Sequence, residues 1–273
     1  MKNLLTILTI FLICNYSSAQ EIDTKKQPTF KEIIEASYSP KRNGELSREE
    51  ALNQKPSRKE IYNEKGIIVE YWQYETDGTI YEKTELSKNE NGKLIKSSTF
   101  DNKGNLKRYS TTEFDKNGNI IFFKNFNPQN EPISIQENEY DSNGNIISIS
   151  STNVSSNITF KTVRKYNSQN QLIEETDLKP DGTIKDVRTF KYDEANNEVQ
   201  SILIRPNGDY TKFISEYDKN KNMTIQKWYD KDGNQKHQTS FTYEYDSYNN
   251  WVSKKRYSNG ELGIVWERTI EYN

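Results

Sequence analysis

The chain has 273 residues, with 38 Lys and Arg against 40 Asp and Glu, one His and one Cys. Its basic residues are scattered singly among acidic ones and form no stripe, which excludes a nucleic-acid footprint. A hydrophobic fraction of 32% excludes one thick globular core, so the aromatics, at 12% and mostly Tyr, must carry much of the burial.

At the N-terminus, Lys2 precedes an apolar run from Leu4 to Cys14 and then Ser17-Ser18-Ala19-Gln20. A positive n-region, a short apolar h-region and a small-x-small site read as a secretory signal cleaved after Ala19. Cys14 would become the first residue of a lipoprotein, but Ile13 stands where that signal needs a small side chain. The apolar run is too short to span a bilayer, and no later segment resembles one. We therefore expect an exported protein, secreted, periplasmic or at the cell surface, with no transmembrane segment once residues 1–19 are removed. Such a protein has no Cys, which removes disulfides, thiolate metal sites and Cys nucleophiles. His237, the sole His, has no second His to share a zinc ion or a catalytic proton and reads as a solvent-facing strand residue.

Residues 20–58 form a polar leader. Thr29-x-x-Glu32 before Ile33-Ile34 and Ser47-x-x-Glu50 before Ala51-Leu52 are capping-box patterns, and they predict two short helices that partly cover the first edge strand.

Residues 59–273 are a repeat. Gly66, Gly78, Gly92, Gly104, Gly118, Asn130 and Gly144 open a ladder that runs on to Gly260, with steps that alternate mainly between 12 and 14 residues, a period of 26. Asp115-Lys116-Asn117-Gly118 matches a type I turn, with Asp first and Gly last, where φ can be positive. Pro128, Pro180 and Pro206 take the second turn position, where fixed φ is favoured, and Asn replaces Gly at Asn130, Asn170, Asn196 and Asn249. The stretches between turns have strand length and are rich in Ile, Val, Thr, Tyr and Phe. The predicted fold is all-β: a long antiparallel β-meander of repeated hairpins, about 16 to 17 strands, curled into a curved or superhelical sheet. Aromatics four residues before each ladder position, such as Tyr62, Tyr74, Phe100, Phe114 and Tyr140, are expected to stack strand on strand.

The Tyr-Asp-x-x-Gly-Asn units, at Tyr140-Asp141, Tyr192-Asp193, Tyr217-Asp218, Tyr229-Asp230 and Tyr245-Asp246, resemble the YD (RHS-type) repeats of bacterial surface proteins and large toxins. The resemblance covers residues 59–273. In large members such hairpins spiral into a shell around a toxic C-terminal domain. Here the ladder runs to the end of the sequence without a "DPxG"-like junction, so the resemblance implies an exported β-repeat protein in a short form, without a toxin.

The recurring Asp has a metal-binding alternative. Asp230-Lys231-Asp232-Gly233-Asn234 offers alternate oxygen ligands, but a calcium loop of the EF-hand kind needs Gly at position 6 and Glu at position 12, where this segment has Gly at 4 and Phe241 at 12. The turn reading also explains Asn167 and the Pro-containing copies, which the calcium reading does not. No metal, cofactor or catalytic residue is expected, since no carboxylate stands out from its interchangeable copies. The candidate binding residues are aromatics crowded at the two ends of the ladder: Trp72, Tyr74, Trp228, Tyr229, Tyr243, Trp251 and Trp266. Their rings either stack on sugars or anchor a partner, or else bury the sheet's inner face as cross-strand pairs. The expected function is a non-enzymatic binding or interaction scaffold, monomeric, with a polysaccharide or envelope-protein ligand. The alternatives are an antitoxin- or immunity-type protector that captures a toxin by strand addition at an open C-terminal edge, and a polysaccharide-active enzyme. Charged residues on both strand faces exclude a transmembrane barrel.

Overall fold

A computed structural model describes residues 28–273; the expected signal, residues 1–19 with Cys14, lies outside the described residues. Eighteen strands follow in order: β1 (Phe30–Tyr38), β2 (Pro56–Tyr62), β3 (Ile68–Tyr74), β4 (Ile80–Lys88), β5 (Leu94–Asp101), β6 (Leu106–Phe114), β7 (Ile120–Phe126), β8 (Pro132–Tyr140) and β9 (Ile146–Asn153). Then come β10 (Ile158–Tyr166), β11 (Leu172–Leu178), β12 (Ile184–Tyr192), β13 (Glu198–Ile204), β14 (Tyr210–Tyr217), β15 (Met223–Tyr229), β16 (Gln235–Tyr245), β17 (Trp251–Ser258) and β18 (Glu261–Tyr272). Two short helices, α1 (Pro40–Asn43) and α2 (Arg48–Gln54), sit between β1 and β2.

The turns form as their residue types require. Gly118 N–H donates to the Asp115 carbonyl at 3.0 Å, and Gly118 has φ 80. The Asp115 carboxylate accepts from the Asn117 and Asn119 amides, both at 2.8 Å, and from Asn119 Nδ2 at 3.0 Å. Asp101 and Asp141 repeat the arrangement. Their carboxylate lone pairs are thus engaged in holding the turn, and the recurring Asp folds the chain. Asn130, Asn170, Asn196, Lys221 and Asn249 hold positive φ where Gly is missing. Asn259 and Gly260, both at positive φ, instead make a two-residue Asn-Gly hairpin turn. Beside most turns the register slips by one residue, as between Glu113 and Phe114, and each bulge adds twist.

The open curved or superhelical sheet expected from the ladder is not what forms. β1 pairs with β18 (Ile33↔Ile270, Glu35↔Arg268, Tyr38↔Val265) and also with β2 (Ile33↔Glu60, Glu35↔Arg58), so the sheet closes into an eighteen-stranded antiparallel barrel. The meander itself has seventeen strands, and β1 is the eighteenth. The first capping-box pattern was misleading: Thr29 and Glu32 flank the start of β1, because Ile33 and Ile34 gain two neighbouring strands, and pairing overrides a local helix signal. The second is correct, with Ser47 capping α2 by a reciprocal box with Glu50. Closure also removes the open C-terminal edge, and with it strand addition there as a route to a toxin.

One face of the wall carries Glu35, Glu82, Thr84, Thr99, Ser110 and Asn138, linked by the Thr84–Thr99 (2.9 Å) and Ser97–Ser110 (2.6 Å) hydroxyl pairs. The other carries Glu70, Lys83, Glu85, Glu113 and Lys124, with ion pairs such as Lys83–Glu70 at 3.0 Å and Lys124–Glu113 at 2.6 Å. Cross-strand rows slide toward the β3–β4 edge as strand number rises, from Glu60 through Tyr71, Thr84 and Thr99 to Arg108. Val154 N–H donates to the Ile133 carbonyl and Asn259 N–H to the Gln238 carbonyl, which fixes which face bonds forward on β8 and β16. With L-residues and right-handed strand twist, only one rolling direction satisfies both observations, and it turns the Thr84–Thr99 face inward. Crowding on this concave side explains why such small polar residues are buried. The outward face bears charges at mid-strand, such as Lys83 with Glu85 and Lys124 with Glu113, where the outer wall of a membrane-spanning barrel carries an apolar band. A ring of eighteen strands is wider than side chains can fill, so it encloses a lumen.

The aromatic ladder divides accordingly. Residues at the β6–β7 edge, such as Phe114, Tyr140, Tyr166 and Tyr192, lie on the lumenal face, while those at the opposite edge, such as Phe100 and Phe126, lie outside, because a strand's two ends differ in pleat parity. They seldom stack. Instead the tyrosines donate to carbonyls of the neighbouring strand: Tyr140 to Ile120 at 2.8 Å, Tyr166 to Ile146 and Tyr192 to Leu172 at 2.9 Å. Among the described residues one buried apolar cluster forms, Ala36, Tyr38, Ala51 and Val265 with Leu46, Leu52 and Leu262, and it lies outside the β1–β18 seam, where α2 covers it. Arg48 of α2 pins this cover to Glu267 at 3.0 Å.

Candidate functional site: an aromatic and cationic strip in the lumen

Alternation on the last strands sets Phe241 and Tyr243 of β16, Lys254 and Arg256 of β17, and Trp266 and Arg268 of β18 on the lumenal face. Two cross-strand rows cross them: Tyr243↔Lys254↔Trp266 and Phe241↔Arg256↔Ile264. The Lys254 ammonium lies 4.7 Å from the Phe241 ring centre, 5.2 Å from Trp266, 5.6 Å from Tyr243 and 6.0 Å from Trp251. The Arg268 guanidinium stacks over Trp251 at 3.4 Å. Among the described residues neither Lys254 nor Arg256 has a carboxylate within ion-pair distance. Half-burial pushes the Lys254 ammonium below the usual lysine range, Arg268 and Arg256 push it the same way, and Glu35 opposes them.

Next to the strip the seam is closed by charge. Glu35 takes Arg268 at 2.8 Å and Arg58 at 3.3 Å, and Arg58 also reaches Glu60 at 3.4 Å. Tyr62 donates to Glu60 at 2.5 Å, and burial followed by the Glu60 charge raises its phenol well above the usual tyrosine range. Burial lowers Arg268, partly offset by Glu35, whereas Glu35 and Glu60 together outweigh burial at Arg58 and raise it. Beyond Arg58, a recess of about 460 Å³ opens at the β3–β4 edge between Tyr71, Gln73, Tyr74 and Tyr81.

The structure thus brings three of the sequence-predicted residues together, Tyr243, Trp251 and Trp266. Trp228 is lumenal but stands apart, opposite Phe213 and His237. Trp72 is outside, donating to Glu70 at 2.9 Å with Lys83 over its ring, and Tyr229 is outside under Lys212. Tyr74 lines the recess. Sequence reading missed Phe241, Lys254, Arg256 and Arg268. The signal was there in "SKKRY", where Lys254 and Arg256 alternate on one face beside the aromatics of β16. Among the described residues no cluster of metal-ligand type occurs, and no helix is long and apolar enough to cross a membrane.

No protein-family model and no curated protein matches the chain. Among solved structures it is similar to a porin-like protein from Bacteroides uniformis, at 11% identity and TM-score 0.47, covering 90% of this chain and 99% of that one. A porin-like protein from Bacteroides vulgatus gives 11% identity and TM-score 0.35 with the same coverage. The TcdB2-TccC3-Cdc42 structure gives 13% identity and TM-score 0.39 over 88% of this chain but only 16% of that one.

Proposed function

We propose that this chain is an exported, non-enzymatic binding barrel of the YD/RHS repeat type that works at the cell envelope or outside the cell and holds a polysaccharide on its lumenal strip. One observation carries this reading: two of the four Trp, with Phe241 and Tyr243, surround a single lumenal lysine. Flat rings with polar edges are suited to stacking on sugar faces. The nearby carboxylates on this face, Glu35 and Glu60, are tied to Arg58 and Arg268, so among the described residues no free acid–base pair stands beside the rings, which favours retention over turnover.

The test is affinity electrophoresis of residues 20–273 in gels cast with cell-envelope polysaccharide. Trp251→Ala and Trp266→Ala should abolish retardation, while Trp72→Ala on the outer wall should leave it intact. Equal loss in all three variants, or no retardation of the parent protein, would overturn the proposal. A stoichiometric protein captured in place of glycan would replace it with a protein scaffold.

A further inference from the structure

We infer that the polymer held by the strip is acidic, with Lys254 and Arg256 as its anion contacts; this rests on the lumenal binding proposed above. The lumenal cations nearby are matched: Arg58 and Arg268 by Glu35, and Arg108 by Glu82 at 2.7 Å. Lys254 and Arg256 are not matched, although they stand two residues apart on one strand face with Arg268 close by. Three positive charges therefore crowd a surface whose nearby acids among the described residues, Glu35 and Glu60, are already tied to the guanidiniums of Arg58 and Arg268.

Such crowding of like charges is unfavourable, and burial makes it worse at Lys254. A neutral sugar stacked on Trp266 or Trp251 would displace water from these cations and offer them no compensating charge. A sugar bearing a carboxylate or sulfate would instead satisfy both. Lys254 supplies a point charge, Arg256 a planar fork suited to two parallel hydrogen bonds, and the flanking rings fix the sugar plane between them. Aromatic walls around unmatched cations thus select for a charged ring, where either feature alone would not.

The experiment uses residues 20–273 in affinity electrophoresis and titration calorimetry against three probes: polygalacturonate, dextran sulfate and uncharged dextran. Retention by polygalacturonate or dextran sulfate but not dextran is expected, and which of the two is retained identifies carboxylate or sulfate as the group recognised. Lys254→Met and Arg256→Met should each weaken binding about tenfold, as expected for a lost charge-assisted contact, and Lys254→Arg should largely restore it. Raising salt should weaken binding to the parent protein and have less effect on the Lys254→Met variant. Uncharged dextran held as tightly as the acidic probes, with no response to either substitution, would overturn the acidic assignment and leave lumenal binding standing. Retention of no probe, with envelope polysaccharide also unbound, would remove both. Melting curves confirm that each variant is folded.

Discussion

The seam offers the sharpest test of the closed barrel. Glu35→Gln keeps the shape of the side chain and removes the charge that Arg58 and Arg268 share. Glu35 is 9% exposed, and its partners are 28% and 16% exposed. Removing one partner of a fully buried ion pair costs about 3–5 kcal/mol, whereas an exposed pair contributes about 0–1 kcal/mol. These exposures lie nearer the buried case, so a loss of about 3 kcal/mol is expected, or about 6–10 °C in Tm for a chain of this size. The loss should also be local. Hydrogen exchange should quicken in β1, β2 and β18 while β10 to β12 keep their protection, because only the seam is weakened. Adding Arg268→Met should recover part of the stability, since it removes a guanidinium left without its counter-charge. A Tm within about 1 °C of the parent would refute the charge closure. Uniformly faster exchange around the ring would refute the seam as a separately opening element.

Lys254→Met should raise Tm. The lysine's pKa is lowered in the folded state, so its destabilising effect is fully present below that lowered value and disappears as pH rises past the unfolded value of 10.5. A melt at neutral pH shows the gain, and a melt above pH 10.5 should show it shrinking. The turn carboxylates act in the opposite sense. Asp101, Asp115, Asp141 and Asp193 are lowered by hydrogen bonds from Asn side chains and turn amides, and Asp230, held chiefly by Lys236, is lowered to about 2. Their contribution is present above the unfolded value of 3.8 and is lost as pH falls toward the folded values, so Tm should hold between pH 7 and pH 5 and drop below about pH 4. Gly104→Ala should cost about 1 kcal/mol, because the turn holds this residue at φ 82 and an added Cβ meets nothing; Gly104→Asn should cost less, and denaturant unfolding will rank the two.

Much of the wall was legible in the sequence because it is local. Each Asp-x-x-Gly turn states its own backbone geometry, and the 12- and 14-residue steps convert directly into strands. Closure was not legible in the same way. A ribbon and a ring of the same hairpins differ by the pairings of one strand, β1, whose residues carry a capping-box pattern and whose partners Arg268 and Ile270 lie more than 230 positions away. The site follows the same division. Trp251, Trp266 and Tyr243 are conspicuous in the sequence as aromatics. That they share a face, and that Lys254 sits unmatched among them, depends on pleat parity across three strands and on which way the sheet rolls.

The seam also constrains how such a chain can change in length. β1 and β18 run antiparallel, so a ring of this kind closes only with an even number of strands. One full period of the ladder supplies two strands, and its duplication would widen the lumen by one hairpin while leaving the Glu35 junction as it is. Insertion of a half period, a single strand with its turn, would present the last strand to β1 in the wrong direction. Girth in this architecture is therefore quantised, and it grows or shrinks by whole repeats or not at all.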